Sequence, residues 1–269
     1  MIKTETGTCV MFKLEDSLFE EELSDEEIIE FLKDVAYATQ DLKINYKNLE
    51  AQIDLSFCYK NKNSLVEFIK DNSKERKTKL IFEPVHFEDT INETKICISF
   101  SYEDKNFESD NIVSFCNTIR TQQNGSHVTG FKRSLSQNFM KFIKDNNMTK
   151  VPIENDDTRC GLVAVVSVFS FDPKYTNQMK QELDMNDVMG FVIKACNNFI
   201  KDWLSANGKL VKQLVNIFEL AAKGRLAQKK ALENVKKEAG TFISSMSDLK
   251  KFGDCIEHGS HAELFLVEG

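Results

Sequence analysis

The chain has 269 residues, 41% of them hydrophobic and 29% charged, and its net charge is −7. That is room for one large domain or two small ones with a packed core, and it excludes wholesale disorder and a general basic coat for nucleic acid. No run of about 18 apolar residues offers a membrane span, no h-region or basic presequence opens the chain, and the seven scattered cysteines read as reduced thiols of a cytoplasmic protein.

In chain order, residues 6–13 read as a strand and an acidic turn follows. Ser24 with Glu27 three positions on is a capping box, and Ile28, Leu32, Val35 and Ala36 recur at helical spacing, so a helix is predicted over 25–39. Strands are predicted at 42–46 and 51–57, a short helix at 64–71, a polar loop at 72–77, and strands at 80–85 and 95–102. Ile112 to Ile119 reads as a strand. A helix follows with Phe131, Leu135, Phe139 and Ile143 at steps of four. Gly161 to Phe171 is a continuous apolar run, as expected of a strand buried on both faces, and Asp172-Pro173 ends it. Two long helices are predicted at about 185–206 and 208–238, broken at Asn207-Gly208, and a last strand at 263–267. With only 3 Pro and 11 Gly the elements should be long. The class is α+β, followed by a helical arm. The closing strand has no partner in the sequence, which predicts a piece of a longer polypeptide.

Charge is unevenly spread. Glu15 to Glu30 holds nine acidic residues and no basic one. Asn207 to Lys237 holds eight basic residues against two acidic, a local +6 that leaves −13 elsewhere. A basic helix on an acidic body is a local electrostatic feature.

Six stretches carry a resemblance. They are Gly7-Thr8 with Val10, Phe12 and Phe19; Phe57, Tyr59, Leu65, Val66 and Phe68; and Phe115-Cys116-Asn117-Thr118-Ile119 with Asn124-Gly125-Ser126-His127-Val128-Thr129-Gly130-Phe131. After these come Asp157-Thr158-Arg159-Cys160-Gly161-Leu162 running on to Val168; Asp172-Pro173-Lys174-Tyr175 with Gln178-Met179-Lys180; and Leu264 to Gly269. In this order they resemble the transducer region of the ATPase subunit of bacterial-type type IIA DNA topoisomerases, the gyrase B and topoisomerase IV B subunits. The likeness covers nearly the whole chain. Leu14-Glu15, Asn124, Ser126, Cys160 and Met179 depart from the pattern.

The resemblance implies a left-handed βαβ core of the kind shared with a ribosomal-protein domain, then long helices and the first strand of a Toprim domain. It implies four divisions: the end of an ATP-binding domain (1–14), the transducer (15–206), a basic helical arm and connector (207–255), and a linker into Toprim (256–269). Gln178 and Lys180 would contact the γ-phosphate of ATP and relay nucleotide state to a DNA gate. A flexible ammonium suits a terminal phosphate. From spacing alone Lys180 is a solvated lysine beside Lys174 and Gln181. Lys209, Lys212, Lys223, Arg225, Lys229 and Lys230 would face transported double-stranded DNA, or form only a solvated face. Glu268 would be one ligand of an incomplete magnesium site. His127 reads as a capping or core-polar histidine, and Cys255, His258 and His261 as a loop coincidence.

ATP and Mg2+ would be cofactors of the full-length enzyme, with none held tightly by this stretch. Partners would be DNA, the DNA-cleaving subunit in a heterotetramer, and a second copy of the chain. Lacking a Gly-rich lid and a D-x-G-x-G motif, the stretch alone would be inactive. The reading from another class is a non-catalytic module of the same fold that binds protein or nucleic acid.

Overall fold

The structure, a computed structural model, describes residues 7–13, 24–39, 41–59, 64–104 and 110–247, with the side chains of the last helix described as far as 235. Its centre is the apolar run that the sequence singles out. This forms strand β7 (Leu162–Phe169), the middle of a five-stranded sheet. Antiparallel β4 (Thr94–Tyr102) lies on one side and parallel β5 (Asn111–Cys116) on the other; β3 (Val85–Ile91) and the two-residue β6 (Ile119–Arg120) form the edges. Side chains alternate between faces along each strand. Ile96, Ile98, Phe100, Tyr102, Ala164, Val166 and Val168 share one core, whereas Cys97, Val113, Phe115, Val163 and Val165 share the other. Both faces are covered, so β7 reads as a nearly continuous apolar run, and even the serines that alternate with apolar residues in β4, Ser99 and Ser101, are buried.

Two helices, α1 (Asp25–Ala38) and α2 (Ser64–Glu75), cover the second face through Tyr37, Leu65, Phe68 and Ile69. The predicted Ser24 cap is present, its hydroxyl accepting from the Glu27 N–H. A separate antiparallel pair, β1 (Lys43–Asn48) and β2 (Ile53–Cys58), is tied to the start of α1. The Tyr46 hydroxyl and the Asn48 amide both donate to Asp25.

The first face is covered by α3 (Ser126–Asp145), α4 (Asn186–Ala206) and α5 (Gly208–Ser247). The chain runs from β5 through α3 back to the parallel neighbour β7, a βαβ crossover within an α+β fold. Gly130 lets α3 and α4 close on each other: a Cβ there would sit 2.8 Å from the Met189 carbonyl. α5 extends 40 residues, about 60 Å at 1.5 Å per residue. Its first half buries Val211, Leu214, Val215, Phe218 and Ala222 in the same core as α3 and α4, so packing continues across Asn207. Beyond Arg225 every described residue is exposed, and the helix leaves the body.

Four sequence expectations need correction. Residues 80–85 are not a strand: Leu80 makes a single bridge to Glu103, and regular pairing begins at Val85, after Pro84. Proline has no N–H for the ladder, and the edge strand beyond it is too polar to stand out in the sequence. The strand expected over 112–119 reverses at Asn117-Thr118, whose φ of 48° and 71° suits a two-residue hairpin. α2 runs four residues past 71, because its polar end folds around a buried carboxylate. Glu103 Oε1 accepts from Ser73 (2.9 Å), Arg76 (2.7 Å) and Thr78 (2.8 Å). Residues 7–13 form no strand, and Val10, Met11 and Phe12 are exposed. The predicted strand at 263–267 lies outside the described residues. Among the described residues no helix is long and apolar enough to cross a membrane.

Phe218 pins α5 to the sheet, its ring centroid 5.3 Å from Phe139 and 5.7 Å from Tyr102. Phe218→Ala is expected to cost about 3–5 kcal/mol, through lost burial and the cavity left behind. Urea unfolding followed by circular dichroism measures it.

Candidate functional site

Between β7 and α4 the chain forms a hairpin with a seated base and an exposed tip. Asp184 N–H donates to the Lys174 carbonyl (2.9 Å) and Thr176 N–H to the Glu182 carbonyl (3.1 Å), while Tyr175 and Leu183 face each other in a single bridge. The tip closes on Asn177. Its carbonyl accepts from Lys180 N–H at 3.2 Å and its side-chain oxygen from Gln181 N–H at 3.4 Å. Lys180 turns the tip in the left-handed region, at φ 57°. Gln178, Met179 and Lys180 are all exposed, Met179 at 76%. The Lys180 ammonium rests 5.9 Å from the centroid of the Tyr175 ring, and no carboxylate pairs with it among the described residues. The sequence flagged Gln178 and Lys180 but missed Tyr175 as the platform. An aromatic five residues before a lysine is too common a spacing to signal a platform.

The second arm of the hairpin is seated by backbone groups. Gln123 N–H donates to the Gln181 carbonyl (2.9 Å), Leu183 N–H to Asn124 (3.1 Å) and Ser126 N–H to Leu183 (2.8 Å). The Ser126 hydroxyl accepts from Met185 N–H at 3.0 Å, one residue before α4 begins. Gly125 makes the approach possible. Its φ is 134°, and a Cβ would lie 2.3 Å from the Leu183 oxygen.

Behind this seat His127 is fully buried in the first turn of α3, the core-polar reading of the two weighed from sequence. Its Nε2 lies 3.4 Å from the Thr121 hydroxyl, which is 2.5 Å from that of Ser114. Its Nδ1 has no partner among the described residues, and burial pushes its pKa down to about 3. The first arm is held by Asn117. The side-chain amide donates to the Ser170 carbonyl at 2.8 Å and accepts from the Ser170 N–H at 2.9 Å.

The basic residues of α5 do not behave as one group. Lys209, Lys212, Lys223 and Lys230 are exposed, and at 3.6 residues per turn they fall within about 60° of one another, to one side of the buried face. Lys223 also lies 3.7 Å from Glu219. Lys229 is exposed on another side. Arg225 points back into the body and does not join the exposed face. It grips Asp157 through two nitrogens (2.8 and 3.1 Å), Glu154 at 2.7 Å and the Pro152 carbonyl at 3.0 Å. Arginine's planar fork suits such a bidentate grip, and in sequence it is indistinguishable from the lysines around it. Glu268, Cys255, His258 and His261 lie outside the described residues. Among the described residues no cluster of three His, Cys, Asp or Glu is placed to hold a metal ion.

Comparison with known proteins bears on the family and the fold. A family model described as DNA gyrase B matches residues 63–234. The DNA gyrase B protein of Helicobacter pylori is 31% identical over 276 residues, which cover 98% of this chain and 34% of the relative. That of Chitinophaga japonensis is 30% identical over 278 residues, covering 99% and 57%. The chain thus spans between a third and somewhat over half the length of these relatives. The 43K ATPase domain of Thermus thermophilus gyrase B shares the fold at a TM-score of 0.68 and 23% identity, over 82% of this chain and 60% of that one. The topoisomerase IV ATP-binding domain of Francisella tularensis gives 0.65 and 23%, over 78% and 57%.

Two outcomes follow from the seat. Gly125→Ala is expected to cost at least about 1–3 kcal/mol, that of a strained backbone conformation, with the clash against the Leu183 backbone added, read as a melting temperature several degrees lower or more. His127 stays neutral in the fold down to about pH 3, whereas an unfolded imidazole takes up its proton near pH 6.5. The unfolded chain therefore binds the extra proton in that window, and stability falls with acid by up to about 1.4 kcal/mol per pH unit. In urea titrations from pH 7 to 4.5, His127→Gln should lose less stability than the parent.

Proposed function

The chain belongs to the DNA gyrase B family, and on that premise we propose that it is the transducer region of a type IIA topoisomerase ATPase subunit, sensing the terminal phosphate of ATP and relaying nucleotide state to a DNA gate. The observation that carries this reading is the state of Lys180. It is an exposed ammonium without a carboxylate partner among the described residues, on the tip of a hairpin whose base is firmly held.

The energetics favour a switch. The ammonium itself is exposed, and resting over the half-buried Tyr175 ring is worth about 0.5–1 kcal/mol. A charge-assisted hydrogen bond to a phosphate oxygen is worth about 1.5–3 kcal/mol. The ammonium therefore leaves Tyr175 when a terminal phosphate comes within reach, and returns when that phosphate is gone. Gln178, two positions away on the same tip, supplies a second donor. Such a contact exists in one nucleotide state alone, which is the requirement for a ligand to bias a conformation. The hairpin lies between β7 and α4, and α4 leads at once into α5. A displacement of the tip is thus delivered to the base of a helix about 60 Å long.

The same reading gives the exposed face of Lys209, Lys212, Lys223 and Lys230 a duplex to meet, through phosphate contacts without sequence readout; Lys229 would add a contact from another side. In the whole enzyme, ATP with Mg2+ would be bound by a preceding nucleotide domain, spanning up to about residue 14. Glu268 would open the magnesium site of the Toprim domain that follows. The assembly would be a heterotetramer with the DNA-cleaving subunit, two copies of this chain among its members. The stretch 1–269 alone would neither bind ATP tightly nor hydrolyse it.

In the full-length protein, Lys180→Ala should lower DNA-stimulated ATP turnover roughly 10- to 100-fold, the equivalent of one charge-assisted bond; turnover near that of the parent would refute the switch. Replacing Lys209, Lys212, Lys223 and Lys230 together with alanine should weaken duplex binding. It should also flatten the dependence of log K on log salt by up to about 3.6, at about 0.9 for each phosphate no longer neutralised.

A further inference from the structure

We propose that Asn117 is a positioning residue for Lys180, a role that rests on the reading of Lys180 given above. The ladder between β5 and β7 ends at the pair Cys116 and Val168. Asn117 N–H still donates to the Val168 carbonyl at 3.0 Å, after which the β5–β6 hairpin turns away. Ser170, the first residue past β7, would then be the point at which the strand frays. Asn117 prevents this with its side chain. One amide supplies both a donor (2.8 Å, to the Ser170 carbonyl) and an acceptor (2.9 Å, from the Ser170 N–H). It replaces the donor and the acceptor that a continued β5 backbone would have offered Ser170.

The clamp lies at the root of the switch hairpin. Phe171, the next residue, is 96% exposed, and Asp172-Pro173 makes no backbone bond to any described residue. Among the described residues, the one other hydrogen bond between this first arm and the β5–β6 turn is that of the Tyr175 hydroxyl, which donates to the Cys116 carbonyl at 3.5 Å. Tyr175 is also the ring beneath Lys180. Asn117 and Cys116 therefore hold both ends of the segment 170–175 that carries the platform. The second arm has its own seat at 123–126. With Asn117 removed, the hairpin stays attached chiefly by that arm, and Lys180 samples a wider volume. A group spread over more positions contributes less to a reaction that needs it in one.

The backbone decides which substitution is informative. Asn117 has a φ of 48°, where alanine would add strain. Asn117→Gly keeps that conformation and removes both bonds. Asn117→Asp keeps the acceptor for Ser170 N–H but sets a carboxylate oxygen against the Ser170 carbonyl. The test is a double-mutant cycle in the full-length protein, read by DNA-stimulated ATP turnover. Expected results are a roughly three- to tenfold loss of kcat for Asn117→Gly with KM for ATP within about twofold, and a loss of the same order for Asn117→Asp. In a Lys180→Ala background, Asn117→Gly should change turnover less than about twofold further, because the group it positions is gone. An unchanged kcat for Asn117→Gly, or an equal loss in both backgrounds, would overturn the positioning role while leaving Lys180 as the sensor. An unaltered turnover for Lys180→Ala itself would remove both. Should Asn117→Gly fail to fold, Asn117→Asp carries the same cycle and the same criteria.

Discussion

Burial of β7 on both faces is the constraint from which the rest of the molecule follows. A strand that has no wet face needs a neighbour on each edge and a layer of helices above and below. β4 and β5 supply the edges, α1 with α2 one layer, and α3, α4 and α5 the other. Because β7 is the middle strand, whatever continues from its C-terminal end emerges from the most firmly held point of the sheet. The hairpin that carries Lys180 continues from that end, and a held root combined with an exposed tip is the geometry the proposed switch requires.

The hairpin itself is held by directional bonds, with little apolar burial. Leu183 is its fully buried apolar anchor, and backbone groups from 123–126 and the Asn117 amide hold the remainder. Hydrogen bonds of this kind each contribute about 1 kcal/mol net. These bonds and Leu183 fix the base of the hairpin, while its tip, Gln178 to Lys180, stays exposed. The buried, neutral His127 underneath is a polar group retained at a cost, since one nitrogen has no partner among the described residues. Its place directly behind the loop that seats the hairpin ties this region's stability to the state of a single imidazole.

Two buried carboxylates organise the periphery in the same manner. Glu103 gathers Ser73, Arg76 and Thr78 and so extends α2 into a polar segment. Asp157 receives the Arg225 fork and marks the place where α5 leaves the body. Breaking a buried pair by removing one partner costs far more than the pair itself contributes, so these residues define where packed structure ends and the solvated arm begins.

Much of this was legible in the sequence because it depends on local chemistry. The 162–169 run, the step-of-four helix at 131–143, the Ser24 cap and the break at Asn207-Gly208 are each set by residues a few positions apart. The order of motifs around His127 and Lys180 was enough to place the family and to pick out the two tip residues. Distant partners decided the rest. Pro84 moved an edge strand, a carboxylate 28 residues beyond Glu75 prolonged α2, and Asp157 turned Arg225 inward, away from its neighbouring lysines. Tyr175 became a platform and Asn117 a clamp only once the sheet brought β5 beside β7. Helix and strand periods are written into adjacent residues, whereas the fate of a polar side chain is settled by which opposite group the folded chain carries to within about 3 Å of it.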